Sequence, residues 1–243
     1  MSRHHVEPTR RLLWRAALAL SLCITLLPSA RADGTHLRIG IVGTGRIGGA
    51  LAELWAGAGH QLVISSRHPE RLEALANRLG AQVRTGTPVQ AAAFGEVVLV
   101  SVPYGALPQV GRDLAHLITG KVVLETGNPF PGRDGDMAHL ARAKGAGLAS
   151  AAYLPGARLV RAFTSIPHQR LRSEAHRAGE RVAVALAGDD RDALATARRL
   201  VEDAGFDAVI VGPLADARKF DVGSEVFGRA MTAAELRRTL GLD

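Results

Sequence analysis

The run Gly43-Thr44-Gly45-Arg46-Ile47-Gly48 constrains the fold of this chain more than any other segment. A G-x-G-x-x-G pattern alone is weak, and its context is what sharpens it. It directly follows an apolar run, Leu37 to Val42, that reads as a strand. It opens a stretch in which Ile47, Ala50, Leu51, Leu54, Trp55 and Ala58 share one helix face. The three glycines have separate tasks in such a unit. Gly43 permits a tight turn, Gly45 lets the backbone approach a pyrophosphate, and Gly48 lets the helix pack close on the strand. The pyrophosphate then rests on the free N–H groups of the helix N-terminus.

The rest of the chain repeats the alternation. Apolar runs predict strands at Gln61–Ser65, Gln82–Arg84, Glu96–Ser101, Lys121–Glu125, Arg158–Phe163, Arg181–Ala187 and Asp207–Val211. Helical spacing predicts helices at Pro69–Leu79, Tyr104–Ile118, Asp136–Lys144, Gln169–Ala178 and Asp190–Ala204, with Gly59 and Gly80 as stops and Gly127–Gly135 as a loop. The fold class is α/β: a Rossmann-like, doubly wound, mostly parallel sheet of about eight strands in a single domain, residues 33–243.

The end of the second strand selects the nucleotide. An NAD site places Asp or Glu there to bond the ribose hydroxyls, roughly 20 residues after the loop. The run Ile64-Ser65-Ser66-Arg67 contains no acid. Ser66 can bond a 2′-phosphate, Arg67 can pair with it as a charged fork, and Arg71 follows in the next helical turn. NADP(H) is the expected cofactor. Ligands of such sheets bind at the carboxyl ends of the strands, which brings Val102, Pro103 and Asn128 to the ribose and nicotinamide. Asn128 can equally be a turn residue before Pro129.

Charge raises the question of a nucleic acid. The chain has 243 residues and a formal net charge of +7. Residues 1–32, with five arginines and Glu7, hold +4 of it, leaving +3 for residues 33–243. An uncharged stretch from Ala16 to Ala30 separates Arg15 from Ala30-Arg31-Ala32, the layout of a signal peptide with an A-x-A cleavage site. Fifteen residues span about 22 Å as a helix, short of a ~30 Å hydrocarbon core; a retained anchor is the alternative. Thr9-Arg10-Arg11-Leu12-Leu13-Trp14-Arg15 is similar to a twin-arginine export motif. The expected location is periplasmic or secreted if the signal is cleaved, and cytoplasmic if translation starts near Thr35. The single cysteine, Cys23, lies within the signal and excludes a disulfide framework. With aromatics at 4% and arginines dispersed among acids, no nucleic-acid surface is expected, and contact with a membrane only through the export signal.

The opening GIVGTGRIGGALAELWAGAGHQLVISSR, with VSVPY, LPGARLVRAFTSI, AVALAGDD and FDAVIVGPLADARKF, resembles NADPH-dependent oxidoreductases of the coenzyme F420 type, from about Leu37 to Phe220. The resemblance implies a compact NADP(H) protein with Thr44 to Gly48, Ser66, Arg67 and Arg71 on the dinucleotide. It also implies that Thr164, Ser165 and Ile166 line the pocket where F420 or a flavin meets the nicotinamide. The family reads Asn-Thr-Ile where this chain has Thr164-Ser165-Ile166, and related domains occur in metal reductases that pass hydride from NADPH to flavin. The expected partner is a small redox molecule, and a homodimer is compatible with the fold.

Hydride transfer between two stacked rings needs positioning, so no acid–base residue is assigned. Of seven histidines in residues 33–243, His168 lies nearest the substrate segment and also suits a helix start; none forms a metal-spaced cluster. The alternatives are an enzyme like pyrroline-carboxylate reductase or a hydroxyacid dehydrogenase, and a non-catalytic NADP-binding sensor or carrier. The former carry a long helical domain after the Rossmann unit, whereas here 78 residues follow Ser165 and contain two strand-like runs.

Overall fold

The computed structural model describes Met1 and residues 36–242; the expected signal segment, with Cys23 and the paired arginines, lies outside the described residues. The chain starts in the middle of its sheet. β1 (Arg38–Val42) leads through α1 (Arg46–Gly57) to β2 (Gln61–Ser65), and then through α2 (Glu73–Leu79) to β3 (Val83–Gly86). The path crosses back by α3 (Pro88–Phe94) to β4 (Val97–Val100), and α4 (Leu107–Ile118) leads to β5 (Val122–Glu125). Three helices follow: the one-turn α5 (Pro131–Asp134), α6 (Asp136–Lys144) and α7 (Ala146–Tyr153). β6 (Arg158–Arg161), α8 (His168–Ser173), β7 (Ala183–Gly188), α9 (Arg191–Asp203), β8 (Asp207–Gly212) and α10 (Ala233–Leu240) complete the order.

The eight strands form one sheet in the order β3-β2-β1-β4-β5-β6-β7-β8. Every neighbouring pair is parallel except β6 with β7. Winding outward from β1 and returning to β4 leaves a crevice at the carboxyl ends of those two strands, where the order reverses.

Alternation along the buried strands sorts the core. Ile39, Ile41, Leu99 and Leu124 face α1, α8 and α9, with Leu51, Trp55, Leu171 and Leu200. Val42, Val98, Val100 and Val123 face the other side, with Leu107, Leu114, Ala141 and Ala149 from α4, α6 and α7. A third cluster lies between β7, β8 and α10, built from Ala185, Val209, Phe220 and Leu236. Trp55 is fully buried and donates its indole N–H to the Leu200 carbonyl at 2.8 Å, tying the nucleotide half to α9. Among the described residues no helix is long and apolar enough to cross a membrane.

All eight predicted strands are present, Gln61–Ser65 unchanged and the others with ends shifted by at most two residues, as ladder pairing rather than apolarity terminates them. The helices depart more. Pro69–Leu72 is a 3-10 turn that precedes α2, and Tyr104–Ala106 is another before α4. The predicted helix Gln169–Ala178 runs instead from His168 to Ser173, and His176 takes a left-handed φ of 54°. The Gly127–Gly135 loop contains the single turn α5. Three helices went unread: α3, α7 and α10.

Candidate functional site

The phosphate loop has the geometry its glycines imply. Gly43 has φ of +95°, and a Cβ there would drive into the Ser101 carbonyl and the Val102 side chain. A Cβ on Gly48 would fall on the Gly43 carbonyl oxygen, so the first turn of α1 lies directly on the loop. Gly45 differs: it is exposed, and a Cβ there would meet nothing within 4 Å. Its missing side chain relieves no clash inside the protein, as expected of a glycine kept open for an approaching ligand. Arg46 is exposed at the start of α1, while Ile47 packs against the core.

Thr44 joins the loop to the end of β2. Its N–H donates to the Ser65 carbonyl at 2.9 Å, and its Oγ1 stands 3.1 Å from both the N and O of Ser65. The loop and the end of β2 are therefore one hydrogen-bonded unit. Ser66 accepts the His68 N–H at 3.0 Å, which shapes the turn into the 3-10 segment. Arg67 and Arg71 are exposed, and like Arg46 they enter no ion pair among the described residues.

The same carboxyl edge carries the other sequence candidates. Val102 is half-buried against the Gly43 turn, and Pro103 is exposed. Asp134 Oδ1 accepts the Gly105 N–H at 3.0 Å, holding the stretch after β4 against the loop after β5. Asn128, 9% exposed, donates Nδ2–H to the Thr164 carbonyl at 2.8 Å, which brings together the residue expected at the nicotinamide and the segment expected at the substrate. Asn128 Oδ1 and Thr164 Oγ1 are both buried with no partner among the described residues. Two orphaned oxygens at adjoining strand ends suit donors supplied by a bound molecule. Ser165 is half-buried and its carbonyl accepts the Gly228 N–H at 2.7 Å; Ile166 is a core residue that anchors the segment. Phe163 holds φ of 57° and sits edge-on between Trp55 and Phe206, turning the chain sharply from β6 into this segment. His168 is the first residue of α8.

Beneath the edge lies a network that the sequence reading missed. Arg161 and Glu125, the last residues of β6 and β5, are fully buried and ion-paired. Arg161 also donates to the Gly127 carbonyl at 2.7 Å and to Asp221 Oδ1 at 2.5 Å. Glu125 accepts the Gly127 N–H and the Ser150 hydroxyl, the latter at 2.9 Å, beside the buried Tyr104. Burial pushes the Glu125 carboxyl up from its ordinary range, opposed by Arg161 and by the Gly127 N–H. Glu125 and Gly127, three residues and one residue before Asn128, thus hang from one guanidinium. The only sequence signal was a charge closing each of two apolar runs, in LVR and VVLE.

Comparison with known proteins places this geometry. Residues 38–129 match the family model described as NADP oxidoreductase, coenzyme F420-dependent. The chain is 29% identical over 187 residues to the metalloreductase STEAP3 of Rattus norvegicus; the aligned part is 76% of this chain and 36% of that protein, so the chain spans about a third of its relative. A solved structure of a hypothetical protein from Sinorhizobium meliloti aligns with a TM-score of 0.68 and 25% identity, over 81% of this chain and 95% of that one. A protein from an Arthrobacter species, provisionally assigned as an F420-dependent NADP-reductase, aligns with a TM-score of 0.59 and 20% identity, over 75% and 87%. Pyrroline-5-carboxylate reductase from Coxiella burnetii aligns with a TM-score of 0.53 and 16% identity, over 72% of this chain but 58% of that one. The fold is the Rossmann-like α/β sheet of these structures, and its nucleotide half matches the model of NADP-dependent oxidoreductases.

Proposed function

We propose that the chain binds NADP(H) and catalyses hydride transfer between it and a flavin or a deazaflavin of the F420 type. The observation that carries this reading is the Gly43-to-Gly48 loop, open at Gly45, bonded through Thr44 to a β2 end that holds Ser66 and Arg67 and no acid. When bound, the nicotinamide supplies or receives the hydride. The residues of the chain bind and orient. Backbone N–H groups of residues 44–48 take the pyrophosphate, and Ser66, Arg67 and Arg71 take the 2′-phosphate. Val102 and Pro103 flank the ribose and the ring. Asn128 Oδ1, buried and unpartnered among the described residues, would accept from the carboxamide N–H, with Thr164 and Ser165 on the acceptor's side of the site. No side chain exchanges a proton; catalysis is positioning and exclusion of water.

The final third of the chain favours this reading over a reductase of the pyrroline-carboxylate kind. Here β7 and β8 extend the same sheet, and α10 packs on them. The deciding test is NADPH oxidation by the purified protein with F420, FMN, FAD, ferric chelates, quinones and a cyclic imine. Turnover with a flavin or deazaflavin is expected. Turnover with the imine alone overturns the proposal.

A further inference from the structure

Past Asn128 the edge loop reaches Pro129, and there the surface opens into a cavity of about 290 Å3. Arg142, near the end of α6, and Arg218, Asp221 and Ser224 line it from elements far apart in sequence. The Arg142 guanidinium lies over the Gly223 backbone, with Nη2 3.0 Å from where a Cβ would stand. Arg218 uses Nε on the Ala215 carbonyl at 3.0 Å. Neither arginine meets a carboxylate among the described residues.

Two residues of the lining also carry polar side-chain atoms that are buried and unsatisfied among the described residues. Asp221 is 6% exposed; its Oδ1 is taken by Arg161, and its Oδ2 has no partner among the described residues. Ser224 Oγ is likewise buried and unpartnered among the described residues. Buried polar atoms are nearly always paired, so each marks a place where a partner is missing. The charges favour an anion. Glu125, Arg161 and Asp221 sum to at most one negative charge, and Arg142 and Arg218 contribute two positive ones. An anion with its own O–H satisfies both features: oxygens toward the guanidiniums, the hydroxyl toward Asp221 Oδ2.

We propose that this cavity is a subsite for an anionic group bearing an O–H, a phosphate monoester or a hydroxycarboxylate, carried by the acceptor that meets the nicotinamide edge. It rests on the hydride-transfer reading. Two contacts connect it to that edge. Arg161 holds Asp221 and the Gly127 carbonyl with the same guanidinium, and Gly228, four residues past Ser224, donates to the carbonyl of Ser165.

FMN and riboflavin share a ring and differ by one phosphate, so they isolate the subsite. In the full chain, KM for FMN is expected to lie about tenfold below that for riboflavin. The Arg142→Ala/Arg218→Ala double variant should erase that difference, leaving KM for riboflavin and Kd for NADPH unchanged. Arg142→Lys/Arg218→Lys should keep part of it. An FMN-to-riboflavin ratio that the double variant does not move overturns the subsite. A second arm needs no turnover: with NADP+ saturating the phosphate loop, inorganic phosphate should raise Tm of the parent protein and not of the double variant. Protection equal in both overturns the proposal. Phosphate protection of the parent alone, without turnover of either flavin or of F420, keeps the subsite and removes the hydride-transfer reading. Turnover with neither a ratio effect nor protection does the reverse. Ser224→Ala, which removes a hydroxyl and no charge, should weaken FMN about threefold in an unaltered fold.

Discussion

At the residue scale, the three glycines of one hexapeptide are not equivalent, and the difference is measurable. Gly48→Ala puts a methyl onto the Gly43 carbonyl, so backbone must move and both stability and nucleotide binding should fall. Gly45→Ala places its methyl in open space. It should leave urea unfolding within about 0.5 kcal/mol of the parent while weakening NADPH by tenfold or more, as titration of each variant would show. If Gly45→Ala binds NADPH normally, the pyrophosphate does not pass there. Arg67→Ala with Arg71→Ala should weaken NADPH by about 100-fold or more and NADH little, because each lost charge-assisted hydrogen bond is worth roughly 1.5–3 kcal/mol and only NADPH has the extra phosphate. Equal losses for both cofactors would remove the NADP assignment. These residues were legible in sequence because the role proposed for each rests on local backbone geometry or on its own charge.

At the element scale, β5 and β6 end in a buried pair, Glu125 and Arg161, with Asp221 arriving from beyond β8. Removing one member leaves an uncompensated charge in the interior. Arg161→Met should therefore cost about 3–5 kcal/mol in chemical denaturation, far more than truncation of an exposed pair such as Arg229 with Glu225. A loss below 1 kcal/mol would show that the pair is not desolvated. Sequence could not have joined Glu125 to Arg161, 36 residues apart, because it gives no register between strands. The unread helices have similar causes. α3 is seven residues long, with a stripe of small alanines, and its signal was the capping box of Thr87 and Gln90. α10 also carries a capping box, Thr232 with Glu235, but lies beyond the last predicted strand. α7 is nearly all apolar, so periodicity has nothing to act on.

At the scale of the whole molecule, His60 ties three distant segments together. It is 1% exposed, accepts the Leu37 N–H on Nδ1 at 3.0 Å, and donates from Nε2 to Asp203 at 3.0 Å. Burial holds its pKa below the ordinary 6.5, against the pull of Asp203 and with smaller contributions from Arg199 and His36. Between the folded and unfolded pKa values, the unfolded chain takes the proton and the native one does not. The stability His60 contributes is therefore complete above pH 6.5 and lost as pH falls from there toward the folded value. Protonating Nδ1 would also remove the acceptor of the Leu37 N–H. His60→Gln should flatten this acid limb of a Tm-against-pH profile, and an unchanged limb would place the titration elsewhere.

The sequence by itself determined the alternating β/α order, the phosphate loop and the acid-free end of β2. Each is written in a short window, where a period, a glycine or a missing carboxylate is enough. Tertiary structure alone decided the antiparallel turn at β6–β7, the buried Glu125–Arg161–Asp221 network under Asn128, and the cavity that Arg142 and Arg218 share. Those features depend on which strand ends and loops are brought side by side. That adjacency is set by sheet order and core packing, and no local spacing encodes it.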